Sequence, residues 1–333
     1  MMKKSERVIG YVGAESPVEL IIAADALPLR LRGLVDGATP HADEYLERSF
    51  VPQSRSIAEQ WLTGALDFLE AVVFPRSDDS AQRLYYYMCE LRRRKRCGGP
   101  EPLLYDIAAI ERSTSREYTI EATRRLASSL RVQESKLADA IQRVARREAL
   151  IQRATAADHL GSAAFRLARA SSCDWHESFD AALAAHVVPP AAQRKRLILA
   201  GSSPPDDRLH LAVEAGGGTI ARTLTEATPP AIGAATNVWE SIAERYRHTL
   251  SPALSMRLSS QWLVDQARET HASGAILWLI EEDEALPWEV AAQVRALESA
   301  RIPVLNLTRQ AWRASPVTLD AVREFAASLG TST

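Results

Sequence analysis

The second half of the chain repeats one unit: a short strand-like run, a polar connection, then a longer segment with apolar residues at helical spacing. The runs are Arg196 to Ala200, Thr219 to Arg222, Ala275 to Ile280 and Val304 to Leu307. The helical segments fall at about Asp206 to Ala215, Met256 to Thr270, Glu284 to Ala300 and Leu319 to Leu329. Strands that alternate with helices through short connections form a parallel sheet covered on both faces. Such strands are buried on both sides, which is why a run such as Ala275 to Ile280 carries no polar residue.

The first half begins in the same way. Arg7 to Val12 reads as a strand, Pro17 opens a short helix through Ala24, and Leu27 to Leu31 returns as a strand. Proline suits the first turn of a helix because its missing N–H would lack a partner there anyway. A helical face at Ile57, Leu62, Leu66 and Leu69, spanning Ser56 to Leu69, leads into the apolar run Ala71 to Phe74. Pro75 cuts that run, and the polar tip Ser77, Asp78, Asp79, Ser80 follows, as when a buried strand delivers a loop to the carboxyl edge of a sheet. Open α/β sheets bind their ligands at that edge. A second helix carries Leu84, Tyr87, Met88 and Leu91 and ends in Arg92 to Arg96, Gly98, Gly99 and Pro100. The helix dipole is a sufficient reason for the cations, and a phosphate-binding or partner-docking role is the alternative. Leu103 to Ile107 reads as one more strand.

From Thr114 and Glu117, spaced as a T-x-x-E capping box, to about Arg169 the chain is rich in Ala, Arg, Leu and Glu at helical spacing. Asp174 and Glu177 begin a further helix to about His186, and Pro189 and Pro190 mark a boundary. A chain of 333 residues exceeds one hydrophobic core. The expected architecture is α/β, with doubly wound parallel sheets in an N-terminal domain (1–113) and a C-terminal domain (189–333), and a helical connector (114–188) in the middle.

Forty Lys and Arg against 42 Asp and Glu leave a net charge of −2, so no global field recruits nucleic acid or an anionic membrane. No apolar run approaches the roughly 20 residues that span a bilayer. The start, MMKKSERVIGYVG, lacks the apolar core of a signal peptide, and a cytoplasmic location is the expectation. Cys89, Cys97 and Cys173 form no C-x-x-C pair and read as structural thiols, and the scattered histidines show no metal-ligand spacing. Gly216 to Gly218 follow a helix rather than a strand and read as a helix stop. No P-loop or G-x-G-x-x-G fingerprint is present. The loop Gly13 to Ser16, at a helix entrance, suits either an anionic ligand or water.

Six stretches together resemble one known family. They are VIGYVGAESPVELIIAADALPLRLRG, ADEYLERSFVPQSRS, VVFPRSDDS, RLILAGSSPPDD, AERY and GAILWLIEEDEALPWEVAAQVRALESARIPVLNL. They lie in order along most of the chain and are similar to the 2-hydroxyacyl-CoA dehydratase and benzoyl-CoA reductase family, with PVELIIAADALPLRL the most specific piece. The resemblance implies two flavodoxin-like domains with a helical portion, pairing with a homologous cysteine-bearing subunit. It also implies an ATP-dependent activator, a [4Fe–4S] cluster, and radical chemistry on an acyl-CoA or acyl-carrier thioester.

The family pattern places cluster cysteines where this chain has Val51, Asp78 and Glu282, the last within Glu281, Glu282, Asp283. Soft thiolates suit iron and sulfide, valine binds no metal, and carboxylates are poor substitutes. The expectation is a chain with no cofactor of its own beside a partner that carries the cluster. On this reading Glu19 and Ser80 are the catalytic candidates facing the cleft, with Ser16, Arg55 and Asp79 contacting substrate. The structural alternative for Glu19 is a first-turn carboxylate favoured by the helix dipole. Two other readings stand: a rebuilt site in which Asp78, Asp79, Glu282 and Asp283 hold a hard cation such as Mg²⁺ or Mn²⁺, and a non-catalytic relative that binds a ligand or stabilises a complex.

Overall fold

The structure is a computed structural model that describes residues 6–108, 110, 112–155, 161–187, 194–225, 232, 237–247 and 259–330. It divides into two compact units, each assembled from separated stretches. The first comprises Met1–Leu150, Ser171–Ala182 and Thr228–Ala253; the second comprises Ile151–Ala170, Leu183–Ala227 and Leu254–Thr333.

In the first unit β1 (Arg7–Tyr11), β2 (Ala26–Arg30), β3 (Ala71–Pro75) and β4 (Glu101–Tyr105) form a parallel sheet in the order β2-β1-β3-β4. Neighbouring residues on a strand point to opposite faces, and the two cores divide accordingly. Ile9, Tyr11, Ala71 and Val73 face one core, together with α1 (Val18–Ala23), α5 (Ser113–Leu130), α6 (Leu137–Thr155) and α10 (238–247). Val12, Val72 and Phe74 face the other, with α3 (Pro52–Leu62) and α4 (Asp79–Arg93). α2 (Pro40–Asp43), α7 (Ser162–Cys173) and α8 (Glu177–Ala184) complete the helices of this half and the middle.

In the second unit β5 (Lys195–Gly201), β6 (Gly218–Leu224), β7 (Gly274–Ile280) and β8 (Val304–Gln310) form a parallel sheet in the order β6-β5-β7-β8. Ile198, Ala200, Ala275, Leu277 and Leu279 pack against α11 (Ser260–Glu269) and α12 (Pro287–Ser299). α9 (Arg208–Ala215) packs on α13 (Pro316–Ser328), where a Cβ on Gly216 would stand 2.4 Å from the Arg323 carbonyl oxygen. Both strand orders reverse beside the first strand, so the molecule contains two flavodoxin-like, doubly wound folds.

The expected strands are all present, and several element boundaries differ. α3 starts at Pro52, not Ser56, because proline at N1 presets the first turn, and it stops at Leu62. The T-x-x-E pair does not cap α5: the helix already includes Ser113, and Arg112 stands at its N-cap without a side-chain bond. β4 runs from Glu101 to Tyr105, two residues ahead of the expected strand. Pro189, Pro190, His159, His248 and the expected helix start at Met256 lie outside the described residues. Among the described residues no helix is long and apolar enough to cross a membrane.

Candidate functional site

The strand orders put a switch point between β1 and β3 in the first unit and between β5 and β7 in the second. Open α/β sheets bind ligands outside the carboxyl ends at such a point, where the two connections leave toward opposite faces. In the first unit the Val12 amide donates to the Val73 carbonyl at 3.0 Å, carrying the ladder into the loop after β1. Gly13 then takes φ +73°, and a Cβ there would lie 3.1 Å from Pro75 Cγ. The loop therefore rests on the end of β3. Ser16 is buried and its Oγ donates to the Val12 carbonyl at 2.9 Å, while the Ala14 amide donates to Glu15 Oε2 at 3.1 Å.

After β3, Asp78 is the N-cap of α4, its Oδ1 accepting from the Ala81 amide at 3.1 Å. Asp79 is exposed, 4.0 Å from Arg83 Nη1, and Ser80 is half-buried in the first turn. Val51 is the half-buried N-cap of α3 and offers no polar side chain. Arg55, one turn on, pairs with Asp43 and donates to the Glu47 carbonyl at 3.1 Å. Arg83 links the two helix entrances, donating to Glu47 Oε2 at 2.9 Å and lying 4.2 Å from the centroid of the buried Phe50 ring. Ser16 and Arg55 thus hold other parts of the chain, whereas Asp79 is exposed and Ser80 half-buried at the start of α4.

Glu19 is turned inward and is not open to a cleft: its side chain is 0% exposed. α1 is only six residues long, and its first turn, Val18 to Leu20, is buried. Oε2 accepts from Tyr246 Oη at 2.7 Å, and Arg245 Nε stands 3.3 Å from Oε1. Both partners lie on α10 and both are buried. Arg245 also pairs with Glu148 on α6. The Tyr246 ring meets Tyr105 edge-on at 6.0 Å, and Tyr105 shares a 3.0 Å hydrogen bond with Thr123. Burial pushes the Glu19 pKa up; Arg245 and the Tyr246 hydrogen bond pull against it.

In the second unit Gly201 ends β5 at φ +112°, and a Cβ there would lie 2.3 Å from the Trp278 carbonyl oxygen. The next residue ties the two switch-point loops together. Ser202 Oγ donates to Asp283 Oδ2 at 2.9 Å and accepts from the Ile280 amide at 3.1 Å. Asp283 Oδ1 accepts from the Leu286 amide at 3.2 Å. Of the three acids after β7, Asp283 is therefore structural, Glu281 pairs with Arg309 at 3.1 Å, and Glu282 is half-buried. Among the described residues no three His, Cys, Asp or Glu side chains gather as a metal site.

Sequence reasoning singled out Glu19 but not the residues that hold it. The AERY stretch that contains Arg245 and Tyr246 was one signal, but its partner lies 227 positions earlier. Nor did it find the last turn of α7, which meets the carboxyl ends of β1 and β2. There Tyr11 Oη donates to the Ser172 carbonyl at 3.1 Å, Arg32 donates to Ser172 Oγ at 3.0 Å, and Cys173 Sγ lies 3.6 Å from the Arg30 carbonyl oxygen. Arg147, fully buried on α6, fixes this segment by donating to the Ser171 carbonyl at 2.8 Å and pairing with Asp180. Its guanidinium lies 4.4 Å from the Trp175 ring, and burial lowers its pKa to about 10.

No curated protein matches the chain. The family model that matches it is described as 2-hydroxyglutaryl-CoA dehydratase, D-component, and covers residues 14–314.

Proposed function

The chain belongs to the 2-hydroxyglutaryl-CoA dehydratase D-component family, and from that premise we propose that it is a cluster-free subunit of a dehydratase-type complex. In this reading it shapes an acyl-thioester site, while a homologous cysteine-bearing subunit carries the [4Fe–4S] cluster and receives electrons from an ATP-dependent activator. One observation supports the proposal: the switch-point loops are built and internally braced, yet where the resemblance puts the family's cluster cysteines the chain has Val51, Asp78 and Glu282.

Those residues do not fit a thiolate-held cluster. Val51 has no donor atom, and Asp78 accepts from the Ala81 amide as a helix cap. The chain's own thiols stand elsewhere, Cys89 within α4, Cys97 beyond its end and Cys173 at the end of α7. Burial raises the pKa of both Cys89 and Cys97, which disfavours the thiolate that iron requires. On this reading Asp79 and Ser80, in the first turn of α4, are the groups that meet substrate. Ser16 and Arg55 act on loop geometry, and Glu19 supports the same loop from within.

The test is to purify the protein from its native host under anaerobic conditions and assay iron, sulfide and co-purifying chains on one sample. The expected result is a homologous partner bearing cysteines, with iron that stays with the partner when the two are separated. Iron and sulfide retained by the isolated chain, at about four irons per polypeptide, would overturn the proposal. A second reading, a non-catalytic ligand-binding or scaffold relative, draws on the burial of Glu19. It is favoured if the complex turns over equally well with D79N and S80A.

A further inference from the structure

We propose that Arg245 and Tyr246 are positioning residues that set the loop Gly13–Pro17 through Glu19, a role that rests on reading the β1 edge as part of the thioester site. α1 is too short to persist on backbone bonds alone, so its place is decided by what its side chains meet. It begins at Pro17 with no side-chain cap, and Glu19 is its one charged residue. Three bonds run in series from that first turn through the loop to the sheet. Ser16 Oγ donates to the Val12 carbonyl at 2.9 Å, the Leu20 amide to the Pro17 carbonyl at 3.1 Å, and the Val12 amide to the Val73 carbonyl at 3.0 Å. A displacement of Glu19 is passed directly into residues 13–17.

Apolar contacts would hold α1 in the core but would let it slide, since the hydrophobic effect is non-directional. The carboxylate is directional. Tyr246 Oη requires an acceptor at 2.7 Å, and Arg245 Nε stands 3.3 Å from the other oxygen. A buried pair of this kind adds little net stability, because desolvation offsets the attraction, and fixing one arrangement is its best-attested use. The groups that face Glu19 are Arg245 and Tyr246 from α10, Glu148 from α6 and Tyr105 from β4. Burial favours a proton on Glu19 and Arg245 opposes it. Protonation removes one charged partner of Arg245, so the arrangement of α10 against the loop changes when Glu19 takes up a proton.

The experiment compares wild type, E19Q and Y246F by amide hydrogen exchange across the pH range in which the fold is intact, corrected for intrinsic rate. Acetyl-CoA binding is measured by calorimetry on the same samples. In wild type, protection at residues 13–24 and 238–247 changes together along one titration, and in E19Q both become independent of pH. Y246F retains the fold but exchanges about threefold to tenfold faster at residues 13–24, the range set by one net hydrogen bond, with weaker acetyl-CoA binding. A wild-type titration that survives in E19Q, or unchanged exchange at 13–24 in Y246F, overturns the proposal. Coupled exchange with no acetyl-CoA binding in wild type supports the positioning role and removes the thioester reading, so the two failures are distinguishable.

Discussion

A carboxylate sealed inside a small α/β unit is costly unless its partners stay in place, and Glu19 has Tyr246 and Arg245 within reach. Glu19→Ala removes the acceptor of Tyr246 and one charged partner of Arg245, so urea denaturation should show a loss of about 3–5 kcal/mol. The pH dependence has a definite sign. Burial holds the folded pKa of Glu19 above its ordinary 4.5, so the folded state binds the proton more tightly than the unfolded one. The stability from this residue is fully present below pH 4.5 and is lost as pH rises through the folded pKa. Glu19→Gln should flatten that part of a stability–pH curve, and an unchanged slope would show that another group is responsible. At Gly201 the constraint is steric: Gly201→Ala must hold a side chain at φ +112° against the Trp278 carbonyl. The backbone conformation alone costs about 1–3 kcal/mol, which a thermal melt should register. Glu19 could be read from its place in a first turn after proline; its burial could not, because the side chains that close over it belong to a distant helix.

At the level of elements, Asp78 serves the helix, capping α4 through the Ala81 amide. Asp78→Ala and Asp78→Cys should each lower stability by about 1 kcal/mol through loss of the cap, with Asp78→Asn close to neutral; equal stability for all three would show that the cap contributes nothing. The eight strands were legible because parallel strands buried on both faces leave unbroken apolar runs such as Ala275 to Ile280. Helix starts were less legible. The T-x-x-E spelling at Thr114 suggested a cap that the structure does not use, and Pro52 started α3 a full turn before the apolar face appeared. Local pattern registers which face is apolar; it does not register which N–H the chain finds convenient to satisfy. The acids after β7 show the same limit, since Asp283 braces Ser202 across two loops and no spacing rule announces such a bond.

For the molecule as a whole, the family assignment and the two doubly wound sheets follow from features spread along the entire chain. The first unit is not contiguous, however: it includes Ser171–Ala182 and Thr228–Ala253. A chain ending at Leu150 would keep every strand of the first sheet and lose Arg245, Tyr246, Trp175 and Ile242 from its interior. It should unfold without a cooperative transition when followed by circular dichroism in urea, whereas the full chain should show one; a sharp transition in the truncated chain would mean that α10 is dispensable to the core.

That separation also has a meaning in time. Glu19 leaves the ribosome long before Tyr246, which is made 227 positions later, so the first sheet must wait half-dressed, its acid uncovered and its apolar flank open, while much of the second sheet is already being synthesised. Assembly of this protein is therefore a matter of order as much as of energy, and the nascent N-terminal half is where a chaperone would be needed most.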